Sequence, residues 1–229
     1  MRPDYSLHDI AYQSKRLKPD YLDWSKIDDS VEDLQLTWHP LRQRGAFPEH
    51  GSLLELGCGA GHISIDFAKA GYSVTGIDIS PTAIEWAIEN AAKANVSVRF
   101  IQGNVIRLEN IADESFDIAL DGRCFHCIIE SDRQQFLQSV YRVLKVGGTL
   151  TICSMCNQVP DNSYFQEYFD PSSRCLFYTD KKTPVRYIGD SNEIIQEVIS
   201  AKFRVLDVKL IAPRHPEDLA DLQLIAEKK

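Results

Sequence analysis

Residues 55–61 read Glu-Leu-Gly-Cys-Gly-Ala-Gly, ELGCGAG, at the end of the apolar run SLLELG (52–57). An apolar run that breaks into glycines reads as a strand ending in a turn, where backbone can come close to a ligand. Outward from this turn the same rhythm repeats. HISIDFAKAG (62–71) reads as a helix stopped by glycine, and YSVTGIDIS (72–80) as a strand. Ser80-Pro81 starts a helix that runs to about Asn95, with serine as cap and proline in the first turn. VSVRFIQGN (96–104) and SFDIALDG (115–122) read as strands. Ser131 to Lys145 forms an amphipathic helix with Phe136, Val140, Tyr141 and Leu144 on one face, stopped by Gly147-Gly148. GTLTICSM (148–155) is again a strand. After a helix over 192–201, FRVLDVKLIA (203–212) and DLQLIAEK (221–228) form a closing antiparallel pair. Alternating strands and helices predict an open, mostly parallel α/β sheet whose ligand lies outside the carboxyl ends of its strands. The positions to inspect are therefore Glu55–Gly61, Asp78, Asn104, Asp121–Cys127 and Cys153–Cys156.

Two stretches fall outside that rhythm. In residues 1–50, one of Asp28, Asp29 and Ser30 is expected to cap a short helix carrying Val31, Leu34 and Trp38, which Pro40 ends or kinks. Residues 157–190 are aromatic and irregular, and a loop of that length in a compact domain is often a lid. The expected organisation is an N-terminal helical cap (1–50) and one α/β domain (51–229) with a lid at 157–190.

The 229 residues suit such a domain, and 44% hydrophobic with 25% charged residues is ordinary globular composition. A net charge of −8 disfavours general nucleic-acid binding, although Arg174, Lys181, Lys182 and Arg186 make a local basic group. The first twenty residues lack an apolar core segment and no apolar run reaches the ~18 residues of a membrane span, so a cytoplasmic protein is expected, with its six cysteines as thiols.

The glycine turn admits two nucleotide readings. A dinucleotide fingerprint is G-x-G-x-x-G, but Gly57, Gly59 and Gly61 make G-x-G-x-G, and His62 fills the third dinucleotide slot. Glu55 would repel a pyrophosphate and would suit a ligand carrying an ammonium group. The run LLELGCGAG resembles motif I of the class I methyltransferases, whose cofactor is S-adenosylmethionine. The resemblance covers about 50–155 strongly and 190–229 weakly, and it implies a seven-stranded Rossmann-like sheet with helices on both faces. It places Glu55, Gly57, Cys58, Gly59 and Gly61 at the cofactor's methionyl part and Asp78, followed by Ile79, at the ribose. Asn104 and Val105 flank adenine, with Asn104 where the family usually has Asp. LKVGGTL (144–150) resembles the turn before the family's fifth strand.

On the acceptor side, the fourth strand delivers Asp121-Gly122-Arg123-Cys124-Phe125-His126-Cys127 to the active edge. His126 is the candidate general base, since its ordinary pKa lies near neutrality, and Asp121 is expected to face the transferred methyl with it. DGRC replaces the Asn/Asp-Pro-Pro-aromatic clamp of amide and adenine methylating enzymes, and CSMC (153–156) replaces the acid–amide pair of metal-dependent catechol enzymes. CFHC and CSMC have tetrathiolate spacing, but residues three apart on a strand point to opposite faces, so no metal is expected there. The aromatic lid residues, Tyr164, Phe165, Tyr168, Phe169, Phe177 and Tyr178, are candidates to wall the acceptor, and Arg186 with Tyr187 to bind an acceptor anion. These features favour a small-molecule acceptor. The alternatives are an RNA (cytosine-5), protein or soft-metalloid acceptor engaged through Cys124, Cys153 and Cys156, or a regulator that binds cofactor without turnover.

Overall fold

The computed structural model describes residues 3–43, 45–213 and 215–229. Ten strands and eight α-helices follow one another as α1 (Leu7–Arg16), α2 (Ile27–Asp33), α3 (His39–Gln43), β1 (Ser52–Leu56), α4 (His62–Lys69), β2 (Ser73–Asp78), α5 (Pro81–Ala94), β3 (Arg99–Gln102), β4 (Phe116–Asp121), α6 (Ser131–Val143), β5 (Leu144–Cys156), α7 (Ser163–Tyr168), β6 (Phe169–Asp170), β7 (Cys175–Phe177), β8 (Pro184–Tyr187), α8 (Ser191–Ser200), β9 (Phe203–Ile211) and β10 (Ala220–Lys228). Seven strands form one sheet in the order β3-β2-β1-β4-β5-β10-β9, parallel except for β10, which runs antiparallel to both neighbours.

The alternation of buried side chains sorts the core onto the two faces. Leu54 and Leu56 of β1 join Phe136, Val140 and Val143 of α6 and Ile194 and Val198 of α8 in one cluster. Leu53 joins Ile63 and Phe67 of α4 and Trp38 and Leu41 in the other. Strand direction also fixes the site. From β1 the chain winds outward through β2 to β3, then returns to the other side of β1 with β4. That reversal opens a crevice between the carboxyl ends of β1 and β4.

Most local expectations hold with small shifts. Ser80 caps α5, its hydroxyl accepting from the Ala83 amide at 3.0 Å. The helix before β5 ends at Val143, not Lys145, and the strand begins at Leu144. Gly147, at φ +77°, therefore sits in a bulge of that strand, where the β4 register shifts, instead of stopping a helix.

Two regions differ more. The early helix begins at Ile27, without a side-chain cap, and runs on past Pro40. A wider π turn over Leu34–Trp38 sends the His39 amide to the Leu34 carbonyl, and this loosened turn lets the helix continue into a proline that cannot donate. A further helix, α1, precedes it and packs Tyr12 beside Trp86 of α5. Residues 157–190 are not irregular: they hold α7 and a three-stranded antiparallel sheet, β6-β7-β8. No described helix is long and apolar enough to cross a membrane.

Candidate active site

Gly57, Gly59 and Gly61 all adopt positive φ, at +71°, +52° and +84°, and packing requires glycine at each. A Cβ on Gly57 would lie 2.5 Å from the Cys124 Cβ, and one on Gly61 2.8 Å from the Phe100 ring. A Cβ on Gly59 would strike the Tyr12 hydroxyl and Asp23. The turn is thus clasped from the fourth strand's loop on one side and from the N-terminal segment on the other.

Carboxylates hold this turn in place. Asp78, at the end of β2, accepts from the Gly59 amide at 3.0 Å and the Ser80 amide at 2.9 Å. Asp23 accepts from the Ala60 amide at 2.8 Å, and its other oxygen meets His62 Nδ1 at 2.6 Å. Glu55 is 1% exposed. One of its oxygens takes the Ser64 hydroxyl, and the other, Oε1, has no partner within the described residues. Burial pushes Glu55 up to about 8 and Asp78 up to about 6. Asp23 stays below the usual range despite its burial, because His62 and two amides stabilise its charge.

These groups line one cavity of about 420 Å³, within the range of small-molecule sites. Glu55, Gly57, Cys58, Gly59, Asp78, Ile79, Asn104 and Val105 line its sheet end. Gly61 does not reach the lining and serves the turn's packing. The exposed Asn104 turns its side-chain oxygen back onto the Ile106 amide at 2.8 Å.

Asp121 departs from expectation. It is wholly buried and outside the cavity lining. One of its oxygens accepts from the Cys124 and Phe125 amides at 2.7 and 2.9 Å, and the other from Cys153 at 3.2 Å. Its carboxylate organises the loop after β4, and burial pushes it up to about 7. His126, delivered by that loop, does line the cavity. It is 4% exposed, and its Nδ1 has no partner within the described residues. Burial, with the positive charges of Arg186, Arg123 and Arg133 nearby, holds it neutral, far below the ordinary histidine range.

The cap completes the enclosure through contacts that no local pattern announces. Tyr5 donates to Asp132 at 2.9 Å and accepts from the Ile129 amide at 3.3 Å, crossing to the start of α6. Asp9 accepts from the Ser80 hydroxyl at 2.6 Å and the Thr82 amide at 3.0 Å. Asp33 binds Arg123, which also reaches Asp221 at 2.7 Å. Tyr5, His8, Tyr12, Asp23 and Trp24 all line the cavity as a result. None of the aromatic residues of 157–190 does so; among the described residues, that stretch contributes Arg186 alone. Tyr168, Phe169 and Phe177 instead border a separate shallow depression.

The six cysteines are free thiols. Cys153 packs in the α4-side cluster and Cys156 in the α6-side cluster, so the CSMC pair faces opposite ways, as strand alternation requires. Among the described residues, no group of three or more His, Cys, Asp or Glu side chains is placed to hold a metal ion.

A family model described as a methyltransferase domain matches residues 49–193. The chain belongs to the class I methyltransferases. It is 34% identical over 94 residues to an uncharacterized methyltransferase of Schizosaccharomyces pombe, a match covering 41% of this chain and 64% of that one. It is 35% identical over 97 residues to a ubiquinone biosynthesis O-methyltransferase of Methylobacterium nodulans, covering 42% of this chain and 38% of the other. Its matches thus span less than two thirds of these curated relatives' length. The 1,6-didemethyltoxoflavin-N1-methyltransferase of Burkholderia thailandensis, solved with 1,6-didemethyltoxoflavin and S-adenosylhomocysteine, shares the fold at a TM-score of 0.65 and 19% identity, covering 100% of this chain and 92% of that one.

The cofactor of this methyltransferase family is S-adenosylmethionine, and the sheet end of the cavity fits it. The ligand carries an ammonium and a sulfonium, and the cavity offers Glu55 with an unpartnered buried oxygen beside Asp78 and Asp23. Gly57 and Gly59 line the cavity with backbone, and Ile79 and Val105 give an apolar slot.

Proposed function

We propose that this methyltransferase acts on a small-molecule acceptor held between the N-terminal cap and the loop after β4. The observation that carries this reading is the continuous cavity that runs from the acid-lined strand ends to His126, whose Nδ1 has no partner within the described residues, with Tyr5, Asp23 and Asp33 fastening the N-terminal segment beside it. Bound S-adenosylmethionine supplies an electrophilic methyl on a positively charged sulfur. Asp78 accepts from the ribose hydroxyls, Glu55 faces the ammonium, and Ile79 with Val105 holds the adenine. Asn104 stays at the rim.

His126 is the residue proposed to take the acceptor's proton. Being neutral, it has a free lone pair at physiological pH, but its surroundings make it a weak base. It therefore suits an acceptor whose own proton is acidic. Asp121 acts at one remove, fixing the backbone that presents His126. The cap excludes water and aligns the acceptor, which is where most of the rate gain of an in-line displacement arises.

The test uses methyl-labelled S-adenosylmethionine, the purified protein and an extract of its native cells, separated afterwards by size. Label in the small fraction is expected. Label confined to protein or RNA contradicts the reading, and absence of label with the cofactor bound would mark a protein that binds without turnover.

A further inference from the structure

The cavity is electrically divided. Its sheet end carries Glu55, Asp78 and Asp23, whereas the far end gathers His126, His8, Cys127 and Arg186. The charged neighbours that act most on His126 are three arginines and a histidine: Arg186, Arg123, His8 and Arg133. Two of these arginines are already satisfied. Arg123 is paired with Asp33 at 2.6 Å and Asp221 at 2.7 Å, and Arg133 with Glu197 at 2.6 Å. Arg186 differs. It stands on β8, which packs on the turn that carries His126, and it lines the cavity. Its positive charge acts on the Cys127 thiol, and among the described residues no salt bridge joins it to a carboxylate, unlike Arg123 and Arg133. A cavity-lining guanidinium without a counter-ion, beside a buried imidazole whose Nδ1 is also unpartnered, is a site prepared for an anion.

Resting on the small-molecule reading above, we infer that the acceptor bears a carboxylate, which Arg186 binds while His126 faces the atom to be methylated. The charge supports carboxylate over phosphate: the far end offers one unpaired full charge, since His8 and His126 are both held neutral by burial and by Arg186. A phosphate carries about −1.5 to −2 near neutral pH and would leave charge uncompensated. The guanidinium's planar fork also matches a carboxylate in two parallel hydrogen bonds. The anion would serve the chemistry as well. Seated against Arg186, it offsets the positive field that keeps His126 weakly basic, so that the base gains strength when its substrate is bound.

The experiment passes the labelled small-molecule products over a strong anion exchanger, and then measures the labelling rate on a dilute, limiting sample of the retained acceptor pool. Label retained by the exchanger is expected. Arg186→Gln should lower the limiting rate at least tenfold, with Arg186→Lys between it and wild type and S-adenosylhomocysteine affinity unchanged in both. Small-molecule label that flows through, or a retained product made equally well by Arg186→Gln, overturns the carboxylate assignment while leaving the small-molecule reading standing. Label only in macromolecules overturns the reading beneath it. The unchanged S-adenosylhomocysteine affinity separates loss of an anion contact from loss of the fold.

Discussion

The two ends of the cavity are built by different means. At the sheet end, each functional group sits within three residues of a strand's end, so backbone hydrogen bonding sets its position. Asp78 is such a group: β2 is zipped to β1 and β3 on either side, and the carboxylate can only emerge at the crevice. The far end and its roof have no such frame. Asp23 and Tyr5 reach the site from the N-terminal segment through side-chain contacts, and Arg186 comes from the separate small sheet, where β8 pairs with β7. The comparison teaches that this methyltransferase places its cofactor groups by topology and its acceptor groups by docking. Change in the cap should reach the first only through Asp23, and the second directly.

Substitutions can break that division or sharpen it. The largest effect is expected at His126. His126→Ala should lower kcat by about 10²–10⁴-fold, the usual worth of a general base, while calorimetry finds S-adenosylhomocysteine binding intact. Equal loss of cofactor affinity would mean that the two ends are not separate. Asp78→Ala comes next. Losing a charged acceptor of ribose hydrogen bonds, at about 1.5–3 kcal/mol for each such bond, should weaken cofactor binding by roughly two orders of magnitude. Asp23→Asn probes the seam, because Asp23 reaches the glycine turn from the cap. It should leave the sheet folded and reduce cofactor affinity by about tenfold, as one charge-assisted bond to the Ala60 amide and the His62 ion pair weaken.

A smaller, pH-dependent effect is expected at Glu55. The folded protein keeps this carboxyl protonated up to about pH 8, whereas an unfolded chain releases the proton near 4.5. Folding therefore binds a proton between these values, and this site's contribution to stability falls as pH rises from about 4.5 to about 8. Thermal melts of Glu55→Gln should gain on wild type across that window. A difference that does not vary with pH would show that Glu55 is already ionised in the folded state.

The same division explains what could be read from the chain alone. The strand ends were legible because period-two burial, the Ser80-Pro81 helix start and the glycine spacing are local signals, and Glu55, Asp78 and Val105 fall where they point. Asp121 sits at the end of β4, as expected, but its contacts could not be read from the chain. The sequence places it at the strand end, and only the three-dimensional loop shows that three amides claim its carboxylate. The aromatic wall was sought in 157–190, where those residues instead build α7 and a small sheet of their own. The aromatic residues that line the cavity are instead Tyr5, Tyr12 and Trp24, from a stretch with weak periodicity, and Tyr12 meets the glycine turn across more than thirty residues of chain. No window of sequence contains such a contact. Helix α2 kept its course through Pro40 because a π turn accommodates the missing donor, a device that propensity does not announce.

The most direct test of the account is calorimetry of S-adenosylmethionine binding in buffers of different ionisation enthalpy between pH 6 and 8. Glu55, held near 8, must give up its proton to face the ammonium. The account predicts one-to-one binding that releases protons and tightens as pH rises. Absence of binding, or binding that takes up protons, would contradict the assignment of the acid-lined end to the cofactor.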